Sequence, residues 1–174
     1  MEKCQFGVPY GKLLGHIVSK RGIATDPDKT EKIVNLTIPT TVSGVRGFVG
    51  HMSYYRRFVH SFAQLAQPLT QLLKKLEKGT SPEWTPECTE AFHVLKERLV
   101  TAPILIPPCW TKRFHVYVDA SSVAIGSILS QKNDKGYDHP IYYASRQMVS
   151  AERNYTVTER EALGMIYSVQ KFRH

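Results

Sequence analysis

The strongest constraint on the fold is a change of period around residues 102–110. The run Ala102-Pro103-Ile104-Leu105-Ile106-Pro107-Pro108-Cys109-Trp110 cannot be regular helix, because proline lacks an amide donor and pushes its predecessor out of the helical region. Upstream of it, apolar residues recur mostly at helical spacing; downstream they first alternate with a period of two. The chain therefore reads as α+β, a helical unit connected through residues 102–113 to a sheet-bearing unit.

Upstream, Leu13 to Ser19 reads as a strand, Lys20-Arg21-Gly22 as its turn and Ile23-Ala24 as the return of a hairpin. Asp26-Pro27 opens a short helix to about Asn35, with Asp26 as N-cap and Pro27 at the first helical position. A second helix from Thr41 to about Val59 carries Val42, Val45, Phe48, Val49, Met52, Tyr55, Phe58 and Val59 on its core face. A third is expected from Ser61 or Phe62 through Lys75, then a Gly79-Thr80-Ser81-Pro82 loop, then a fourth from Thr85 to about Thr101 with Thr85 as N-cap.

Downstream, Phe114 to Asp119, Ala124 to Gln131 and Pro140 to Ala144 are expected strands, with Asn133-Asp134-Lys135-Gly136 as a turn. A last helix starts near Thr156, where Thr156 and Glu159 supply a capping box. It is expected to bury Ala162, Leu163, Met165, Ile166, Val169 and Phe172 on one face.

Charge and cysteine usage narrow the partners. A chain of 174 residues, 42% hydrophobic, can build real cores, and a net charge of +8 favours contact with a polyanion through counterion release. Cys4, Cys88 and Cys109 are far apart and lack C-x-x-C spacing, so they read as reduced thiols of an intracellular protein. No signal pattern and no apolar run long enough to span a bilayer is present, so secretion and membrane insertion are not expected. No motif marks a small-molecule substrate. Both ends read as cut: the first residues are strand-like, and Lys171-Phe172-Arg173-His174 lies inside a helix without a stop signal.

Two groups of residues could carry chemistry. Asp119 ends an alternating strand and is followed by Ala120-Ser121-Ser122, while Glu161 falls at the edge of the last helix's apolar stripe beside Met165 and Phe172. A carboxylate from a strand end and one from a packed helix can share hard divalent cations, which take oxygen ligands. The alternatives are that Asp119 caps a turn through Ser121 or Ser122, and that Glu161 closes a capping box with Thr158. On the second helix, the face opposite the core carries Arg46, Gly50 and Tyr54 at i, i+4 and i+8, flanked by Arg57 and by Gly44 and Gly47. Helix-interior glycine costs about 1 kcal/mol against alanine, so something must approach this backbone closely. A nucleic-acid duplex fits, with Tyr54 for stacking and Arg46 and Arg57 for phosphates; another helix of the same protein is the alternative.

Taken in order, Leu14-Gly15-His16-Ile17-Val18-Ser19, Gly22 to Lys29, Val45 to Phe58, Ala66-Gln67-Pro68-Leu69-Thr70, Trp84-Thr85 with Cys88 to Phe92, Ala102-Pro103-Ile104-Leu105, Val118-Asp119-Ala120-Ser121, Tyr143-Ala144-Ser145-Arg146, Asn154-Tyr155 and Thr158 to Leu163 resemble the polymerase polyprotein of gypsy-type long-terminal-repeat retrotransposons. The resemblance implies the end of a reverse transcriptase palm at residues 1–26, a thumb at 27–101, a connection at 102–113 and a truncated RNase H-like domain, with a mixed sheet and one packed helix, at 114–174. It further implies that Arg46, Gly50 and Tyr54 follow the minor groove of a template-primer duplex or RNA/DNA hybrid, and that Asp119 and Glu161 match two of four carboxylates that bind Mg2+ or Mn2+.

Departures from the family limit the expected activity. Nothing in the sequence matches the polymerase motif Tyr-x-Asp-Asp or its partner aspartate, and the other two RNase H carboxylates would lie beyond His174. Nucleotide addition by this chain alone is not expected, metal binding should be weak or absent, and a sheet without its later strands would keep an unpaired edge. Three readings stay open: a fragment of a reverse transcriptase and ribonuclease H that is catalytically incomplete by itself and assembles with other polyprotein segments; a non-catalytic duplex-binding module; and a decayed gene model without selected function.

Overall fold

A computed structural model describes residues 7–75 and 83–173. Cys4, the strand-like first residues, the Gly79–Pro82 loop and His174 lie outside the described residues.

The chain opens with an antiparallel meander, β1 (Tyr10–Leu13), β2 (His16–Ser19) and β3 (Gly22–Thr25), in that spatial order. The expected strand from Leu13 to Ser19 is thus interrupted. Leu14 and Gly15 both take positive φ, 45° and 71°, the backbone of a two-residue hairpin turn that matches strand twist. Leucine is a poor turn residue and is strained there, so the sequence carries no usual turn signal and β1 is an addition to the expected hairpin. Gly22, at φ 129°, lets the connecting segment approach: a Cβ there would lie 2.1 Å from the Leu105 carbonyl oxygen.

Five helices follow. α1 (Pro27–Val34) is capped by Asp26, whose carboxylate accepts from the Asp28 amide at 3.2 Å and pairs with Lys12 Nζ at 3.2 Å. α2 (Val42–Tyr54) is capped by Thr41 and ends earlier than expected, passing into a 3-10 turn at Arg56–Phe58. The single helix expected to Lys75 is two, α3 (Phe62–Leu65) and α4 (Gln67–Lys75). Pro68 cannot donate to, and would clash with, the carbonyl four residues back in a continuous helix; the break at Ala66 puts it in the first turn of α4. α5 (Pro86–Val100) starts at the Thr85 cap as expected.

These helices enclose the main core. Val45, Phe48, Met52, Tyr55, Phe58 and Val59 interlock with Leu69, Phe92, Leu95 and Leu99, all essentially inaccessible. Leu105 from the Pro-rich segment joins the same core and pairs with β3 through Ile23 N to Leu105 O (2.8 Å) and Leu105 N to Ile23 O (2.9 Å). The segment is irregular, as expected, yet it is a structural tie rather than a free connection.

The second sheet is also antiparallel: β4 (His115–Ala120), β5 (Ala124–Lys132) and β6 (Asp138–Gln147), in that spatial order. Asp138 accepts from the Tyr117 hydroxyl at 2.8 Å and the Ser130 hydroxyl at 2.9 Å, which fastens β4 and holds the Asp138 carboxyl below its ordinary range. α6 (Val157–Phe172) begins at the expected capping box of Thr156 and Glu159.

The expected buried face of α6 needs correction. Gly164 and Ser168 are the buried positions, with Leu163, Tyr167 and Phe172 half-buried, whereas Met165, Ile166 and Val169 are 60%, 54% and 69% exposed. Small residues face the sheet because the helix lies close to it: a Cβ at position 164 would stand 2.7 Å from Val118 Cγ1 and 3.7 Å from Ala120 Cβ.

The two sheet-and-helix assemblies are joined through β6. The buried Ser145 hydroxyl accepts from the Ala63 amide at 3.0 Å, and its carbonyl accepts from the Arg56 guanidinium. Gln147 Nε2 donates to the Ala63 carbonyl at 3.3 Å and Thr70 Oγ1 at 2.5 Å.

Candidate nucleic-acid interface and carboxylate pair

The packing of α6 decides where its polar residues go. Glu161 lies one turn before Gly164, so the close approach of helix to sheet carries it to the end of β4. Asp119 and Glu161 line one depression of ≈ 180 Å³ together with Val118, Ala120 and Met165. Both carboxylates are exposed. Neither local alternative is realised: the turn after β4 is held by Ser121, whose hydroxyl donates to Ala124 O and accepts from the Val123 and Ala124 amides, and the capping box uses Glu159. Among the described residues, no group of three or more His, Cys, Asp or Glu side chains is placed to hold a metal ion. Two free carboxylates suit the oxygen preference of a hard divalent cation, but supply only part of a coordination shell.

Arg146 fixes the approach to α6. Its guanidinium donates to both oxygens of Glu152, at 2.6 and 2.9 Å, and lies 5.5 Å from the Tyr167 ring centroid. The bidentate pair holds the Glu152 carboxyl below its ordinary range and raises Arg146. It links β6 to the segment leading into α6, and so helps to aim Glu161.

On α2 the three glycines separate by role. Gly44 is required internally, because a Cβ there would meet Pro39 Cβ at 2.9 Å. Gly47 and Gly50 have nothing within 4 Å of a Cβ. The alternative of another helix packed on this face therefore fails for these two within the described chain. Arg46 is exposed on the same helix. Tyr54 is 47% exposed, with its hydroxyl donating to the Leu14 carbonyl and its ring stacked on His16 at 5.3 Å.

Arg57 does not join this face. Because α2 ends at Tyr54, the 3-10 turn directs its guanidinium 4.8 Å above the Tyr142 ring on β6, where its Nε is buried without a hydrogen-bond partner. Arg57 thus sits between the helical core and the second sheet, half-buried against Tyr142.

A groove that the sequence does not announce lies beside α2. This cavity of ≈ 490 Å³ between α1 and α2 is lined by Lys29, Lys32, Ile33, Leu36, Gly50, His51, Tyr54 and Tyr55. The available signal is Lys29 and Lys32 at i, i+3 on a helix of eight residues, which reads as solvated charge until α2 is placed beside it.

Residues 84–174 match the model of the RNase H-like domain found in reverse transcriptase; the match starts before α5 and includes it. The chain is 38% identical, over its full length, to 16% of a retrovirus-related Pol polyprotein from transposon 297 of Drosophila melanogaster. It is 34% identical, over 99% of its length, to 13% of the transposon Tf2-3 polyprotein of Schizosaccharomyces pombe. It therefore spans a small part of these curated relatives. Among solved structures, foamy viral protease-reverse transcriptase in complex with double-stranded DNA superposes with a TM-score of 0.81 at 25% identity, covering 94% of this chain and 34% of that one. The same protein in complex with an RNA/DNA hybrid gives 0.79 at 25% identity, covering 94% and 22%.

Proposed function

Since the chain belongs to the family of RNase H-like domains found in reverse transcriptase, within retrotransposon Pol polyproteins, we propose that it is a gypsy-type segment that grips an RNA/DNA hybrid or template-primer duplex and holds half of a hydrolytic metal site. In this reading residues 1–26 close the palm, 27–101 form the thumb, and 114–174 form the RNase H-like unit, working inside the cell alongside other Pol segments.

The observation that carries the reading is the open backbone at Gly47 and Gly50. Two helix-interior glycines cost about 1 kcal/mol each relative to alanine, and nothing in the described chain uses the space they leave. A minor-groove edge could approach Gly50 closely, with Arg46 directed at phosphate and the exposed part of Tyr54 against sugar or base. The foamy viral relatives, which were solved on double-stranded DNA and on an RNA/DNA hybrid, support a duplex as the partner. Fluorescence anisotropy with a labelled hybrid tests it: Gly50→Leu should weaken binding tenfold or more, and wild-type affinity should fall steeply with salt. Equal affinity in wild type and variant would overturn it.

Asp119 and Glu161 are the residues that would hold Mg2+ or Mn2+, which when bound supplies an activated water and stabilises a leaving oxygen in phosphodiester cleavage. This chain's own contribution is to present two exposed carboxylates, with no ion pair among the described residues, on one depression, and to bring Glu161 to the end of β4 through the close approach at Gly164. Because these two carboxylates supply only part of a coordination shell, cleavage of a labelled hybrid in magnesium by this segment alone should be feeble, and Asp119→Asn should remove what remains. Robust cleavage by the purified chain, lost in Asp119→Asn, would refute the catalytically incomplete reading.

A further inference from the structure

We propose that the groove between α1 and α2 is a second, electrostatic grip on the same duplex, in which Lys29 and Lys32 take consecutive phosphates of one strand while Gly50 admits its sugar edge. The inference rests on the duplex-gripping reading and extends it to a helix that the reading does not use. Three observations lead to it.

The first is shape. The groove is continuous with the open face of α2, because Gly50 and Tyr54 line both. Side chains larger than hydrogen at position 50 would narrow it, and nothing in the described chain occupies the space above that backbone.

The second is charge. The polar lining residues with ionisable groups are Lys29, Lys32, His51, Tyr54 and Tyr55, with no carboxylate among them. Of the acids on or capping α1, Asp28 and Asp26 are both engaged by Lys12 from β1, and Glu31 is exposed and does not line the groove. Among the described residues neither Lys29 nor Lys32 forms an ion pair, so both ammonium groups are available to an anion. Lys29 Nζ lies 5.5 Å from the centroid of the Tyr54 ring, an attraction that holds it between the β1–β2 turn at Gly15 and Tyr54 at the groove's edge.

The third is the floor. Ile33 and Leu36 line the groove beneath the lysines; Ile33 is buried, whereas Leu36 is 40% exposed. An apolar floor with cationic rims suits the alternation of sugar and phosphate along a nucleic-acid backbone, where affinity comes from charge and register from shape.

The test is equilibrium binding of a fluorescently labelled RNA/DNA hybrid to the full chain across a salt series. Four proteins are compared: wild type, Lys29→Gln/Lys32→Gln, Lys29→Arg/Lys32→Arg and Gly50→Leu. Both lysines are exposed, and thermal melts of each variant report folding independently. The Gln variant should lose affinity at low salt and flatten the plot of log affinity against log salt by roughly one to two units, about 0.9 for each phosphate no longer neutralised. The Arg variant should keep the wild-type slope. If Gly50→Leu weakens binding while the Gln variant retains both affinity and slope, the groove proposal is overturned and the α2 reading stands. If neither substitution changes binding, both fall.

Discussion

The helical part of the chain and α6 with its sheet use apolar residues in opposite ways. Around α2 and α5 the large side chains point inward: Phe48, Met52, Phe58, Phe92, Leu95 and Leu99 are all at most 2% exposed. On α6 the positions against the sheet are Gly164 and Ser168, and Met165, Ile166 and Val169 face outward. The first arrangement makes a self-sufficient core that can carry a costly surface, including two unfilled glycines. The second places a helix very near a strand, brings two carboxylates to one depression, and leaves apolar surface exposed on α6. Rigidity of the grip and proximity of the carboxylates therefore come from different packing solutions.

The largest effect is expected in the helical core. Phe92→Ala should cost about 3–5 kcal/mol in denaturant unfolding. Leu105 and Tyr143 pack against this core, so the second sheet should unfold in the same transition. A sheet signal that survives loss of the helices would separate the two parts.

Gly164→Val should cost about 1–3 kcal/mol through overpacking, since its Cβ would meet Val118. Its near-ultraviolet and hydrogen-exchange changes should be confined to α6 and the second sheet. A neutral result would mean that α6 does not depend on close approach.

Glu152→Gln should cost about 1–2 kcal/mol by breaking the bidentate bond to Arg146. The pH dependence has a definite sign. Arg146 lowers the folded-state carboxyl of Glu152 below its unfolded value, so the pair's contribution is present above the ordinary carboxylate range and is lost as pH falls through the depressed folded value. Stability measured down an acid series should converge for wild type and variant at the lowest pH. A gap that persists there would assign the cost to packing instead.

The smallest effect is expected where apolar side chains face outward. Ile166→Lys and Val169→Lys should each change stability by no more than about 0.5 kcal/mol, read by thermal melting. A cost near that of Phe92→Ala would show that this face is buried in solution, for instance against a second copy.

How much of the fold is legible in the sequence follows from which signals are local. The Asp26 and Thr85 caps, the Thr156–Glu159 box and the apolar stripe of α2 are set within one or two helical turns, and each is realised as expected; Thr41, expected only as the start of α2, is its cap. The Leu14-Gly15 turn lacks the usual Asn or Asp signal. The break before α4 is marked by Pro68 but outweighed by the apolar pattern on both sides. The face of α6 is misread because hydrophobic periodicity cannot register a helix that meets its sheet through glycine and serine. Asp119 and Glu161 are identifiable as candidates from their places at a strand end and a stripe edge, and the structure puts them together. The contact of Arg57 with Tyr142 is not legible because it depends on the end of α2 at Tyr54 and on where β6 lies, and Lys29 and Lys32 gain meaning only when α1 and α2 are side by side.

The central claim, that α2 keeps an open glycine face for a duplex at the expense of its own stability, is tested most directly on Gly47→Leu/Gly50→Leu by measuring thermal stability and hybrid affinity on the same preparation. Leucine is a strong helix former, and a Cβ at either position meets nothing within 4 Å in the described chain. The melt should therefore shift upward, by as much as about 1 kcal/mol per site, while hybrid affinity falls by tenfold or more. A variant that is stabilised and binds the hybrid as well as wild type would contradict the account.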